Sequence, residues 1–97
     1  MTLPVYWLPE ADAELKNALA RYAGIRPELG QRFAEAVEHT VDRNADAPLK
    51  YAVVEKERRR AGVHRFPYGL FFLIKETRIV VIACFHGHRN PRHWQIR

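Results

Sequence analysis

The chain has a single cysteine, Cys84, among its 97 residues. A lone thiol excludes an internal disulfide and cannot by itself build a cysteine-based zinc cluster. Long apolar runs are also missing. The longest, from Ile79 to Phe85, is far too short to cross a bilayer. No linker, repeat or low-complexity tract divides the chain, and its amino terminus has no basic segment followed by a long apolar one. These absences predict one domain spanning 1–97, in a reducing, cytoplasmic setting and away from membranes. Hydrophobic residues at 47% and aromatics at 11% exclude a disordered chain.

Acidic residues run out partway along the chain. Up to Glu57 there are seven Lys/Arg against ten Asp/Glu, and from Arg58 onward nine Lys/Arg against Glu76 alone. The overall charge of +5 therefore comes entirely from the last forty residues. A field concentrated this way attracts phosphate or acidic protein better than the same charge spread evenly.

Leu3 to Leu8 reads as a short or edge strand, since Pro4 lacks an amide donor. Pro9 suits the first turn of a helix, with Glu10, Asp12 and Glu14 near its positive end. Ala11, Leu15, Ala18, Leu19 and Tyr22 form its apolar stripe, and Gly24 is the expected stop. Pro27 and Glu28 open a second helix, with Leu29, Phe33, Ala36, Val37, Thr40 and Val41 facing inward. Arg32, Glu35, Glu38, Asp42 and Arg43 face outward, and Pro48 marks its end. Asp12, Glu14, Glu28 and Glu38 read as helix surface charge, with Glu28 and Arg32 spaced for an i, i+4 pair.

Asp46 to Glu57 reads as a connector. Three strands follow at about Arg59 to Phe66, Gly69 to Lys75 and Arg78 to Phe85, with connections short enough for an antiparallel meander. Glu76-Thr77 lacks the glycine or asparagine that a two-residue hairpin prefers. The predicted architecture is α+β: an N-terminal strand, an antiparallel two-helix hairpin and a three-stranded antiparallel meander, with the helices on one face of the sheet. The last two strands are apolar on both sides, so the face away from the helices must meet the carboxyl-terminal tail or a second chain.

This order of elements comes with Arg59-Arg60, His64-Arg65-Phe66-Pro67-Tyr68, Ile79-Val80-Val81-Ile82-Ala83, Phe85-His86-Gly87 and Arg89-Asn90-Pro91-Arg92-His93-Trp94. Together they resemble the RelE/ParE superfamily of bacterial toxins, over nearly the whole chain. The resemblance is greatest to the ParE-like, plasmid-stabilisation branch, where an "RRFPY" strand end and an "FHGRRDPRRW"-like tail are characteristic. Here His88 stands where that pattern has arginine, Asn90 where it has aspartate, and His93 interrupts its arginine run. The resemblance implies the toxin of a type II toxin–antitoxin module, neutralised by a cognate antitoxin that wraps it, with operator DNA reached only through the antitoxin. ParE-like members poison DNA gyrase, and RelE-like members cut messenger RNA on the ribosome. The favoured expectation is a non-enzymatic gyrase inhibitor, and the alternative is a metal-independent, ribosome-dependent endoribonuclease.

Cleavage of RNA through its 2′-hydroxyl needs a base, an acid for the 5′-oxygen and cations around the phosphate. Under the alternative, the candidates are Glu55 or His86 as base, His86 or His88 as acid, and Arg65 and Arg89 as phosphate clamps. Arg65 and His86 are the foremost pair, because similar positions matter in the nuclease branch. Against it, the connector holds acids at Glu55 and Glu57 where active members carry several cations. Under the gyrase reading, Arg58, Arg59, Arg60, Arg89, Arg92, His93 and Trp94 are the candidates for target or anion binding. The plainer readings are a solvated strand start for the arginine triplet and a tryptophan folded onto the sheet. Cys84, His86 and His88 alternate as metal ligands on a strand would, but Cys84 reads more simply as a buried apolar residue, and Gly87 bends the strand. Neither a metal nor another cofactor is expected.

Overall fold

The computed structural model describes residues 3–87, apart from the Glu55 side chain. Its elements are β1 (Val5–Trp7), α1 (Pro9–Ile25), α2 (Pro27–Asp46), a 3-10 turn (Pro48–Lys50), β2 (Val53–Glu55), β3 (Arg58–Gly62), β4 (Tyr68–Lys75) and β5 (Arg78–His86). Both long helices begin on a proline with acidic residues in the first turn. There the missing N–H is no loss and the helix dipole favours negative charge. Gly24 does not stop α1, contrary to expectation. The helix continues to Ile25 and ends at Arg26, which is extended at φ −155° and ψ 138°. Pro27 is the cause, since the residue before a proline is driven out of the helical region.

One residue thus separates the helices, and they pack closely from the start of α2. A Cβ built on the buried Gly30 would lie 2.8 Å from the Cβ of Ala23 and 3.0 Å from its Cα. Further along α2, Phe33, Val37 and Thr40 are buried as the stripe predicts, and Thr40 donates its hydroxyl to the Ala36 carbonyl at 2.8 Å.

The sheet has five strands in the order β1-β5-β4-β3-β2. β5 lies between β1 and β4, parallel to the first and antiparallel to the second. The expected connector contributes a strand, because Val53 and Glu55 pair with Arg59 and Arg58 across a tight turn at Lys56. β3 ends at Gly62 rather than Phe66. Residues 63–67 form a corner closed by Val63 N–H to Tyr68 O at 2.9 Å and Phe66 N–H to Val63 O at 3.1 Å. Between β4 and β5, Lys75 faces Arg78, so a two-residue hairpin forms although no glycine is present. Glu76 takes the left-handed conformation there, at φ 59°.

Side chains alternate across the sheet. Toward the helices, Leu70, Phe72, Ile79, Val81 and Cys84 meet Phe33, Val37, Ala18 and Ala45. The other face carries Phe71, Ala83 and Phe85, with Ile82 added by a bulge opposite Phe71 and Phe72, and all four are buried. The carboxyl-terminal tail, proposed as one cover for this face, lies outside the described residues. Among the described residues no helix is long and apolar enough to cross a membrane.

Replacing Gly30 by alanine forces the helices apart at their closest approach. Gly30→Ala is expected to lower stability by about 1–3 kcal/mol, outweighing alanine's better helix propensity. Urea unfolding followed by circular dichroism reads this directly, and an unchanged midpoint would show that the hairpin opens freely.

Candidate functional site

The arginine triplet is not one patch. Alternation along β3 puts Arg59 on the helix side with Ala61 and Phe72, and Arg58 and Arg60 on the opposite face with Phe71. All three are half-buried. Arg59 donates from Nη1 to the Tyr51 carbonyl at 2.6 Å, tying down the segment before β2. Arg60 lays its guanidinium across Gly69, where a Cβ would fall 2.6 Å from Nε, and its carbon lies 5.9 Å from the centroid of the Phe71 ring. Gly69 is therefore a seat for a cation over an aromatic ring, an arrangement worth roughly 0.5–2 kcal/mol.

Arg65 and His86, paired by the sequence, line separate cavities. Arg65 sits at the β3–β4 corner in the left-handed conformation, φ 68°, and donates from Nε to His64 Nε2 at 3.3 Å. It borders a groove of about 590 Å³ between this corner and α2, with Leu29, Arg32, His39 and Phe66 on the same wall. His86 ends β5 and borders a cavity of about 230 Å³ against α1, with Glu14, Asn17, Arg21 and Tyr68. The two cavities share no lining residue.

Around His86 the polar groups are already engaged with one another. The Tyr68 and His86 rings meet edge-on at 5.3 Å, and Arg21 Nη1 donates to the Tyr68 hydroxyl at 3.3 Å. Glu14 is not the surface charge expected from the sequence. It is partly buried, and its Oε1 accepts the Cys84 N–H at 3.1 Å. β1 pairs with β5 only from Ile79 to Val81, so the Cys84 amide has no strand beside it and the carboxylate takes that place. Burial, reinforced by Glu14, pushes the Cys84 thiol up to about 12 from its ordinary 9.0. Burial likewise raises the Tyr22 phenol, the nearby Tyr68 adds to the rise and Arg21 opposes it. Asp12 pairs with Lys16 at 2.8 Å on the surface. The expected Glu28–Arg32 pair does not form, and Arg32 lines the groove instead.

Sequence reasoning missed Glu14, Asn17 and Arg21 as one set. Their spacing beside the buried Ala18 places them on one flank of α1, a signal that becomes informative only once β5 is known to pack there. Tyr68, the first residue of β4, is also a wall of the His86 cavity. Among the described residues no group of three or more His, Cys, Asp or Glu is placed to hold a metal ion. The remaining candidates His88, Arg89, Arg92, His93 and Trp94 lie outside the described residues.

The family model for the ParE toxin of type II toxin–antitoxin systems, parDE, matches residues 5–91. Among solved structures, a chain from the chromosomal ParDE TA system from P. aeruginosa has a similar fold, with a TM-score of 0.77 at 16% sequence identity. The match covers 90% of this chain and 98% of that one. No curated protein matches the sequence.

Two outcomes test the Glu14–Cys84 arrangement. Glu14→Ala removes the acceptor for the Cys84 amide and is expected to lower stability by about 1–3 kcal/mol, with Glu14→Gln, which keeps an oxygen, losing less in the same urea titration. With its folded value raised, the thiol contributes stability that is complete below pH 9.0 and is lost as the pH climbs toward about 12. At pH 8 an aromatic disulfide reagent should therefore label Cys84 only on unfolding, and rapid labelling of the native chain would contradict this assignment.

Proposed function

This chain belongs to the ParE toxin family of type II toxin–antitoxin systems, and on that premise we propose that it arrests growth by binding DNA gyrase and is neutralised by a cognate antitoxin. The observation that carries the gyrase reading is the separation of Arg65 from His86 into two cavities. A nuclease of the kind the alternative requires would hold its phosphate clamp and its acid or base on one scissile group. An inhibitor that works by binding needs no such convergence. Arg59 and Arg60 are engaged within the fold. In this reading, target binding therefore falls chiefly to Arg89, Arg92, His93 and Trp94, an arginine-rich and aromatic set suited to anchoring a protein interface. A strongly basic second half also suits an acidic, amphipathic antitoxin segment that folds as it binds.

One observation favours the second reading, a ribosome-dependent endoribonuclease. His86 shares its cavity with Glu14, Arg21 and Tyr68, which together offer acid–base and cationic groups. Glu14, however, is already held by the Cys84 amide.

Purified protein added to a gyrase supercoiling reaction should inhibit it while leaving message intact on translating ribosomes. Cut message with normal supercoiling would overturn the proposal. His86→Ala separates the two readings in cells: growth arrest survives if gyrase is the target, and toxicity falls by about 10²–10⁴-fold if the imidazole is a general acid or base.

A further inference from the structure

The groove between α2 and the β3–β4 corner has no part in the gyrase reading, and of its lining only Arg65 is a candidate in the nuclease one. Its nitrogen donors come from two distant parts of the chain. Arg32 and His39 lie two helical turns apart on one face of α2, and His64 and Arg65 come from the corner. α2 belongs to the half of the chain with net negative charge, so these groups are not together merely because the sequence is basic nearby. Glu35, the acid on the same wall, is turned to its own helix and accepts from Gln31 Nε2 at 3.4 Å. Among the described residues nothing forms an ion pair with Arg32 or Arg65, and the hydrogen bond that Arg65 makes uses Nε alone. Both guanidinium groups therefore have their terminal N–H donors uncommitted.

The corner itself points the same way. Arg65 occupies a conformation that glycine would adopt without cost, yet the position carries a long cation. The corner thereby sets this side chain at the mouth of the groove. Its bond to His64 Nε2 leaves His64 to donate from Nδ1, so the wall presents N–H groups from four side chains. Beside them the half-buried Phe66 ring and Leu29 offer an apolar surface. At about 590 Å³ the space exceeds what a bare anion needs.

We infer that this groove binds a phosphate group carried on a flat or apolar body, with Arg32 and Arg65 gripping the oxygens and Phe66 and Leu29 against the attached ring. Guanidinium forks match phosphate geometry, and aromatic faces accept any nucleobase. A nucleoside monophosphate and the backbone of a single strand offer the same chemistry. The inference does not rest on gyrase being the target, and a negative supercoiling result would leave it standing.

The test is a titration of the full chain, labelled with nitrogen-15, by adenosine 5′-monophosphate, by adenosine, and by a hexathymidylate without a terminal phosphate. Amide signals of 32–39 and 63–66 should move with a phosphate probe and not with adenosine. A stronger response to the monophosphate assigns a monoester ligand, and a stronger one to the hexamer assigns a nucleic-acid backbone. Arg32→Gln and Arg65→Gly should each weaken that binding about tenfold or more, while Lys16→Gln, which removes an equal charge elsewhere, leaves it unchanged. Arg65→Gly also controls for folding, since its melting temperature should equal or exceed that of the parent. Signals that stay put, equal responses to adenosine and its monophosphate, unchanged affinity in both arginine variants, or tighter binding of a glutamate-rich peptide in the same groove would each overturn the assignment.

Discussion

Four rings hold this molecule's working parts in place. Phe33, fully buried on α2, meets Tyr22 of α1 at 5.0 Å, Phe66 of the corner at 5.0 Å and Tyr68 of β4 at 5.1 Å. Most of these pairs meet edge-on, the geometry that ring quadrupoles favour, and each contributes roughly 0.5–1.5 kcal/mol beyond the burial of its surface. The cluster joins both helices to the sheet at the point where β3 turns into β4. It also separates the two cavities, since Phe66 lines the groove with Arg65 and Tyr68 lines the cavity with His86. Arg65 and His86 are thus held on opposite sides of one packed cluster.

Much of this was legible in the sequence, for reasons that are local. Prolines at 9 and 27 fix helix starts through a missing donor, and the apolar stripe of α2 needs only a period of 3.6 to be read. The two-sided apolarity of β4 and β5 required a covered sheet, and both faces are indeed buried. What escaped depends on partners distant in the chain. Val53 to Glu55 is too short to declare itself as a strand and exists because Arg58 and Arg59 lie beside it. Gly24 has the sequence character of a stop for α1, but the following proline decides the matter at Arg26. Arg65 and His86 form a pair only through the resemblance to the nuclease branch, and nothing in their spacing reveals the rings between them.

The arginine triplet shows how a run of charge can mislead. Three consecutive cations suggest a single electrostatic surface, but on a strand they alternate, and a period of two divides them between opposite faces. Arg59 then serves as a tie to the Tyr51 carbonyl, and Arg60 as a lid over Gly69 and Phe71. Long stems covering apolar surface with a charged head at the margin are a stabilising use of arginine that composition does not distinguish from a binding use.

The same distinction sorts the remaining polar groups and locates function more sharply than charge does. Glu14 closes an unpaired strand edge, and Arg21 holds a tyrosine hydroxyl beside His86. An amide left bare at the Cys84 position would be both unstable and a template for unwanted strand pairing, so a carboxylate there answers a demand of the fold before any demand of chemistry. This weighs against Glu14 as a base, for a base must be free to take a proton from substrate. Arg32, His39 and the terminal nitrogens of Arg65 meet no such demand within the described fold. Side chains that the fold does not need, gathered on one wall from separate segments, are those whose arrangement calls for a partner outside the chain.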